Sequence, residues 1–459
     1  MSQSNVVPID ERDTIGEIHS GQVRMAHRLA RRYEGKLLHV HDLGWHRWDG
    51  RRWLLDDVGE ADRAVLAVLR DALAESIGGD TDLRKDVRKC ESARGIRGVL
   101  DVAAALTPMV ATVRDLDADP YLFNCANGTV NLRTGRLWPH DPADRITKVA
   151  AGSFDPDARG EVWSAFLERV LPNREVREYV QRLAGVGLLG KVVEHVLAIL
   201  TGTGANGKST FVTAISAAMG DYASTAEPDL FMHRQGAHPT GEMDLRGTRL
   251  VAVSESEKGR RLAEATMKRL TGGDTIRARR MRQDFVEFAP SHTPLLITNH
   301  LPKVSGDDPA IWRRIRVIPF GVEIPPAERD KKLDERLRDE YDAILAWALA
   351  GFQAYTDQGG LNEPQSVLGA TADYRAESDA VSRFVAEECV TSSPALKCTT
   401  ARLHEAWTAW AHSDGAEAMS QKAFGHALDR LGYPVTSRTT AGRWRTGIAL
   451  PTALEEPDL

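Results

Sequence analysis

The chain has 459 residues, 42% hydrophobic and 27% charged, with 59 Lys and Arg against 65 Asp and Glu and a net charge of -6. That length exceeds one ordinary domain and points to about three, and the composition excludes a disordered or collagen-like chain. No apolar run is long enough to span a bilayer, and Met1 to Arg12 lacks a signal peptide's apolar centre, so a cytoplasmic protein with no membrane partner is expected.

Residues 17–36 read as an amphipathic helix, followed by alternating apolar and polar residues around the turn dipeptide Asp49-Gly50. A helical stretch covers about 60–114, and hairpin signals return at Asn127-Gly128 and Thr134-Gly135. Residues 160–190 are helical again. Short apolar runs then follow at His195–Leu200, Thr248–Ser254 and Thr293–Thr298, as expected of buried parallel strands in an α/β sheet. Residues 327–355 read as helical and PQSVLGATADY as a linker. The last part, 381–450, reads as helix, helix and a basic hairpin, the element order of a winged helix. Cys90, Cys125, Cys389 and Cys398 show no paired metal-ligand spacing, so buried free thiols are expected.

Directly after the first core strand stands Gly202-Thr203-Gly204-Ala205-Asn206-Gly207-Lys208-Ser209-Thr210, which satisfies G-x4-G-K-[ST] between a strand and an apolar helix. Such a loop wraps phosphates with backbone N–H groups. Its lysine, Lys208, reaches the β- and γ-phosphates of ATP, and its serine, Ser209, ligates Mg²⁺. The second strand ends in Ser254-Glu255-Ser256-Glu257. Two residues apart on an extended chain, Glu255 and Glu257 are expected to face the nucleotide together, one on the metal's water shell and the other on the attacking water. The third strand ends at Thr298-Asn299-His300, which puts the uncharged Asn299 at the carboxyl edge of the sheet, where ligands bind. Fourteen residues on come Arg313 and Arg314, either of which would stabilise transition-state charge if donated across a subunit boundary.

In this order, GTGANGKST, VSESE, MKRLTGGDTIRARR, FAPSHTPLLITNHLP and DDPAIWRRIRVIPF closely resemble the superfamily 3 helicase domain of phage and plasmid primase-helicases, related to poxvirus-type replicative ATPases. The likeness extends from about 120 to 325. It implies an AAA+-like core, a homo-hexameric ring and translocation on single-stranded or forked DNA with 3′ to 5′ polarity, and it gives Lys268, within KRLTGGD, a DNA-contacting role. Only about 115 residues precede that stretch, too few for the primase domain often found in front plus the hairpins, so primase activity is not expected of the chain, and a separate primase or other replication proteins are candidate partners. The acids Asp115, Asp117 and Asp119 read as a solvated turn rather than a polymerase metal pair.

Positive charge is concentrated from Lys258 to Arg282, nine Lys or Arg against Glu264 and Asp274. The segment TIRARRMRQDFVEFAP reads as a hairpin with its turn near Arg282-Gln283-Asp284, whose Arg279, Arg280 and Arg282, together with Lys303, would track a DNA backbone. In the C-terminal part, Lys422, Arg430, Arg438, Arg443 and Arg445 surround Trp444, which suits a duplex or a protein partner equally.

The expected architecture is an α/β, AAA+-like P-loop core with a parallel sheet at 191–326, preceded by an N-terminal α+β region (1–114) and hairpins then helices (115–190). A helical lid and linker (327–375) and a winged-helix-like domain (376–459) follow it. A small-molecule kinase would not need the basic hairpin or the ring arginine. A nucleotide-switched initiator or repressor that barely turns over stays open beside the helicase.

Overall fold

A computed structural model describes residues 17–233, 239–255, 257–279, 285–304, 308–414, 416, 419–440 and 442–451. The N-terminal part begins with α1 (Gly21–Tyr33), whose Met25, Ala26, Leu29 and Ala30 recur at helical spacing and are buried. The antiparallel strands β1 (Leu37–Val40), β2 (Gly44–Trp48) and β3 (Trp53–Leu55) follow. Helices α2 (Glu60–Ser76), α3 (Thr81–Cys90) and α4 (Ala93–Ala103) pack on α1 around Leu29, Val65, Leu83 and Val99. Asp80 and Ser92 cap α3 and α4 by accepting from backbone N–H groups of the first turn. The helical stretch ends before 114, because Val110–Ala111 forms β4, parallel to β1.

Strands β5 (Leu122–Cys125), β6 (Gly128–Asn131) and β7 (Arg136–Trp138) make a meander. Cys125 pairs with Gly128, so the first turn is Ala126-Asn127, one residue earlier than the Asn-Gly signal indicates. Gly128 is needed for a different reason: with φ 148°, a Cβ there would strike the Trp138 carbonyl. The acids of the preceding turn are committed locally. Asp115 accepts from Thr112, Asp117 from Thr147 and Asp119 from the Tyr121 backbone.

Helices α5 (Glu161–Val170) and α6 (Arg174–Val186) lead to β8 (Leu197–Thr201), α7 (Lys208–Met219), β9 (Ala223–Ala226), β10 (Leu250–Glu255) and α8 (Glu264–Leu270). The hairpin β11 (Ile276–Ala278) and β12 (Val286–Phe288), then β13 (Thr293–Thr298), α9 (Pro309–Trp312) and β14 (Ile315–Pro319) complete the core. Its five strands run parallel in the order β14-β8-β13-β10-β9. One face packs on α5, α6 and α7 through Trp163, Leu183 and Phe211, and the other on α8 and the hairpin through Met267, Ile276 and Val286.

Beyond the sheet come α10 (Leu333–Arg338), α11 (Tyr341–Gln358) and α12 (Gln365–Ser378). Helix α12 stands where a linker is expected. It lies along β14, with Thr371 Oγ1 accepting from Val317 N at 3.0 Å, and it buries Val367 and Tyr374, two turns apart. Helices α6 and α11 cross backbone to backbone at Gly185 and Gly351. A Cβ on either would collide with the partner's main chain.

The buried Arg249 joins the meander to the core. It donates to Leu188 O at 2.5 Å and Leu122 O at 2.6 Å and lies over the Tyr222 ring.

The C-terminal unit comprises α13 (Ala380–Glu388), β15 (Lys397–Thr399), α14 (Thr400–Asp414), α15 (Gln421–Arg430), β16 (Val435–Thr439) and β17 (Gly442–Thr446), with strand order β15-β17-β16. Here Arg445 departs from the expected basic surface. It is 2% exposed and bonded to Thr400, Asp429, Tyr433 O and Gly425 O, so it holds the unit together from within. Cys90, Cys125 and Cys398 are buried free thiols, and Cys389 is half-buried. Among the described residues no helix is long and apolar enough to cross a membrane.

Candidate nucleotide site

Thr201, Thr298 and Glu255 lie side by side in the register of β8, β13 and β10. Three strands therefore reach the same carboxyl edge together, and the segments leaving them converge. After β8 the chain turns through Gly202, Gly204, Ala205 and Gly207, all at positive φ, and enters α7 at Lys208. Ala205, at φ 48°, adopts this conformation without a glycine's freedom. A Cβ on Gly202 would strike Asn206 and the Phe320 carbonyl, while Gly204 has open space around it. Asn206 Nδ2 donates to Phe320 O at 3.1 Å and Ile324 N to Ala205 O at 2.9 Å, which pins the loop to the segment after β14.

Lys208 is buried, and burial lowers its ammonium below the usual lysine value. Its Nζ donates to Gly202 O at 2.8 Å, Asn206 Oδ1 at 3.1 Å and Asn299 Oδ1 at 3.2 Å. Lysine, loop and Asn299 are thus one hydrogen-bonded unit. Thr203, Ser209 and Asn299 are exposed and Thr210 half-buried at the same edge.

The two acids differ. Strand β10 ends at Glu255, so the alternation that would align Glu257 with it stops there. Glu255 is 4% exposed and Glu257 is on the surface. They are joined instead by Glu257 N, which donates to Glu255 Oε1 at 2.7 Å, while Glu255 Oε2 is buried without a hydrogen bond. A buried carboxylate oxygen left open, on the sheet edge that also carries a hydroxyl at a helix start and a glycine cradle, fits a hard divalent cation and phosphates.

Sequence reasoning missed Arg260. Its guanidinium reaches Asp229 Oδ1 at 2.6 Å, Glu257 Oε2 at 3.2 Å and Glu255 Oε2 at 3.7 Å. Its closeness in sequence to both acids was the available signal.

Residues 26–172 match a family described as D5 N terminal like. Residues 200–314 match a family of unknown function, DUF5906. The first match crosses position 115, and the second spans the loop, both acids, Asn299 and the paired arginines. A mimivirus protein (Acanthamoeba polyphaga mimivirus) named "Putative helicase L207/L206" is 27% identical over 69% of this chain and 35% of its own length. One from Frog virus 3, named "Putative helicase 022R", is 26% identical over 64% of this chain and 32% of its own. One from African swine fever virus, named "Putative primase C962R", is 24% identical over 69% and 35%. The matched region spans about a third of these viral relatives. A solved structure of the NrS-1 C terminal region is similar with a TM-score of 0.46 at 10% identity, over 90% of this chain and 95% of that one.

Arg313 and Arg314 lie at the other end of the sheet. Leu197 N, at the start of β8, donates to Arg314 O. A five-residue strand therefore separates them from the loop of their own chain, roughly 15 Å at the usual rise per residue. Arg314 is half-buried and donates to Ala310 O at 2.8 Å; Arg313 is exposed, with its side chain in no hydrogen bond or ion pair among the described residues.

The basic stretch is less free than its composition implies. Lys268 pairs with Asp308, Arg269 with Glu242 and Arg277 with Glu287. Lys303 Nζ donates to Asp414 O at 3.2 Å, towards the C-terminal unit. Strands β11 and β12 pair as a hairpin, Ala278 opposite Val286, while Arg280, Arg282 and the expected turn lie outside the described residues. On its exposed face Arg277 and Arg279 each hold their guanidinium 4.7 Å from the centre of the Phe285 ring. Phe285, 42% exposed, is a second residue that sequence reasoning missed.

Proposed function

We propose that the chain is an ATP-hydrolysing DNA helicase of superfamily 3 type, working as a homo-hexameric ring in the replication of a phage, prophage or plasmid-like element. The observation that carries this is the meeting of the Gly202–Thr210 loop, Glu255 and Asn299 at one sheet edge, with Asn299 Oδ1 3.2 Å from the Lys208 ammonium. The strand order, with the loop-bearing strand between β14 and β13, supports an AAA+-like core. The viral names support a replication role.

In this reading the loop N–H groups and Lys208 bind the phosphates of ATP, and Ser209 and Glu255 hold Mg²⁺, which when bound draws charge from the phosphate oxygens. Glu257 takes a proton from the attacking water and Asn299 orients it. Arg313, too far from its own loop, completes the site of the next subunit, and the hairpin meets single-stranded DNA. The C-terminal unit is read as a winged helix, its exposed Lys422, Arg438 and Arg443 facing a duplex or a protein.

The test is ATP hydrolysis with and without single-stranded DNA, alongside unwinding of a fork, for the parent and Lys208→Ala. DNA-stimulated hydrolysis and unwinding lost in the variant is the expected result. Equal hydrolysis by both would overturn the reading, and duplex binding with negligible turnover would favour the nucleotide-switched initiator.

A further inference from the structure

Three acids from two chain segments meet one arginine beyond the carboxyl ends of β9 and β10. Asp229 stands on the turn after β9; Glu255 and Glu257 stand at and just beyond the end of the neighbouring β10. The Glu257 backbone N–H donates to the Glu255 carboxylate, which holds two like charges close together, and these repel each other unless a cation lies beside them. Arg260 supplies it, and its shortest contact is with Asp229, an acid with no part in the phosphate chemistry above.

The contact with Glu255 is of another kind. At 3.7 Å the guanidinium balances the charge of Glu255 Oε2 without making a hydrogen bond, so this buried oxygen keeps its lone pairs. The arginine's backbone is also tied to the other half of the site. Lys303 N donates to Arg260 O at 2.7 Å and Leu262 N to Lys303 O at 2.9 Å, a short ladder on the segment that begins with Asn299. Asn299 in turn accepts from Lys208. The arginine that meets the acids is therefore tied to the segment whose Asn299, four residues before Lys303, meets the lysine.

We infer that Arg260 is a positioning residue of the acidic pair: anchored on Asp229, it keeps Glu255 and Glu257 together in the metal-free chain and competes with the divalent cation for Glu255. This rests on the nucleotide reading proposed above. When a cation takes the open oxygen of Glu255, Arg260 keeps Glu257 and Asp229, and the base stays aimed. An exposed arginine–carboxylate pair by itself contributes little; the consequence here comes from joining three acids at one point.

The experiment measures two quantities on the full chain, parent against Arg260→Gln, Arg260→Lys and Asp229→Asn. One is kcat and KM for ATP; the other is the Mg²⁺ concentration giving half-maximal binding of a fluorescent ATP analogue. Arg260→Gln is expected to lower kcat by on the order of tenfold, through the misplaced base, with KM little changed. The same variant should need severalfold less Mg²⁺, because a competing charge has gone. Arg260→Lys should restore the Mg²⁺ midpoint and part of kcat, and Asp229→Asn should move both quantities the same way by less. Loss of a merely structural contact would reduce kcat with the folded fraction and leave the midpoint alone, and that outcome overturns the inference. So does an Arg260→Gln variant unmoved in both. A parent that neither binds the analogue nor hydrolyses ATP overturns the nucleotide reading itself.

Discussion

The side-chain oxygen of Asn299 stands 3.2 Å from the ammonium of Lys208, although 91 residues separate them in the chain. One element carries the lysine of the glycine-rich loop and the other a neutral polar group, and both follow strands that end in the same register. Replacing Asn299 with Ala should therefore lower kcat for ATP by about a hundredfold while nucleotide binding persists. Lys208→Ala should weaken binding as well. Fluorescent-nucleotide titration beside steady-state hydrolysis separates the two, and equal loss of affinity in both variants would remove the distinct role of Asn299.

Arg313 and Arg314 differ in what they touch, and so should their variants. Arg313→Ala is expected to reduce hydrolysis by about a thousandfold without loss of folding or binding. Mixing it with Lys208→Ala subunits should recover activity, since each supplies the half-site the other lacks. Arg314→Ala should chiefly lower the melting temperature, because its guanidinium is tied to Ala310 O. Failure of the mixture to recover any activity would refute donation across a boundary.

His292 is 2% exposed, with its ring against the backbone of Leu270. Burial is the main cause that pushes its imidazole from 6.5 down to about 4. Between those values the unfolded chain binds the extra proton, so stability falls as the pH drops through that window. Urea unfolding at pH 7 and pH 5 should differ by about 2 kcal/mol from this group, and His292→Leu should remove that part of the difference. An unchanged pH dependence in the variant would contradict it.

Arg249 gives a prediction of another kind. Arg249→Met leaves the carbonyls of Leu188 and Leu122 without this donor and the Tyr222 ring without its cation, at a cost of about 3 kcal/mol. Calorimetry should show the loss, and limited proteolysis should show the meander opening early. A variant as stable as the parent would mean the junction is held by its apolar contacts alone.

On the hairpin, Arg279→Ala should weaken single-stranded DNA binding and flatten its salt dependence by about 0.7 in the log–log slope. Phe285→Ala should weaken it too, by releasing two guanidinium groups from one ring. Anisotropy titrations over a range of salt would show no change in either if the hairpin does not touch DNA.

The parts of this structure legible in the sequence are those where local chemistry and global position agree. Thr293–Thr298 forms a strand with the same bounds as its apolar run, and the glycine-rich loop follows its strand as the motif requires. Strand β9 was not legible, since Ala-Ser-Thr-Ala is a small, partly polar edge sequence with no apolar alternation. Helix α12 hid behind a Pro-Gln start and a glycine, and the partners that bury it are distant in sequence: it lies along β14, and Tyr374 packs edge-on against Trp312 and donates to Pro302 O. Charge was the least legible property. The acids in shortest contact with Arg269, Arg260 and Lys268 lie 27, 31 and 40 residues away, so density along the chain could not show which cations remain free. Arg445 looks in sequence like its neighbours Arg443 and Arg438, and only the fold turns it inward.

The crossing of α6 and α11 at Gly185 and Gly351 bears on which parts can shift during turnover. Main chain meets main chain there, with no side-chain cushion along which the two helices could slide. They form a single stiff bar under one side of the sheet. In the helicase reading proposed above, rearrangement is then taken up on the opposite side, by the hairpin, the short helix α9 that ends just before Arg313, and the strap α12, which leads straight into the C-terminal unit.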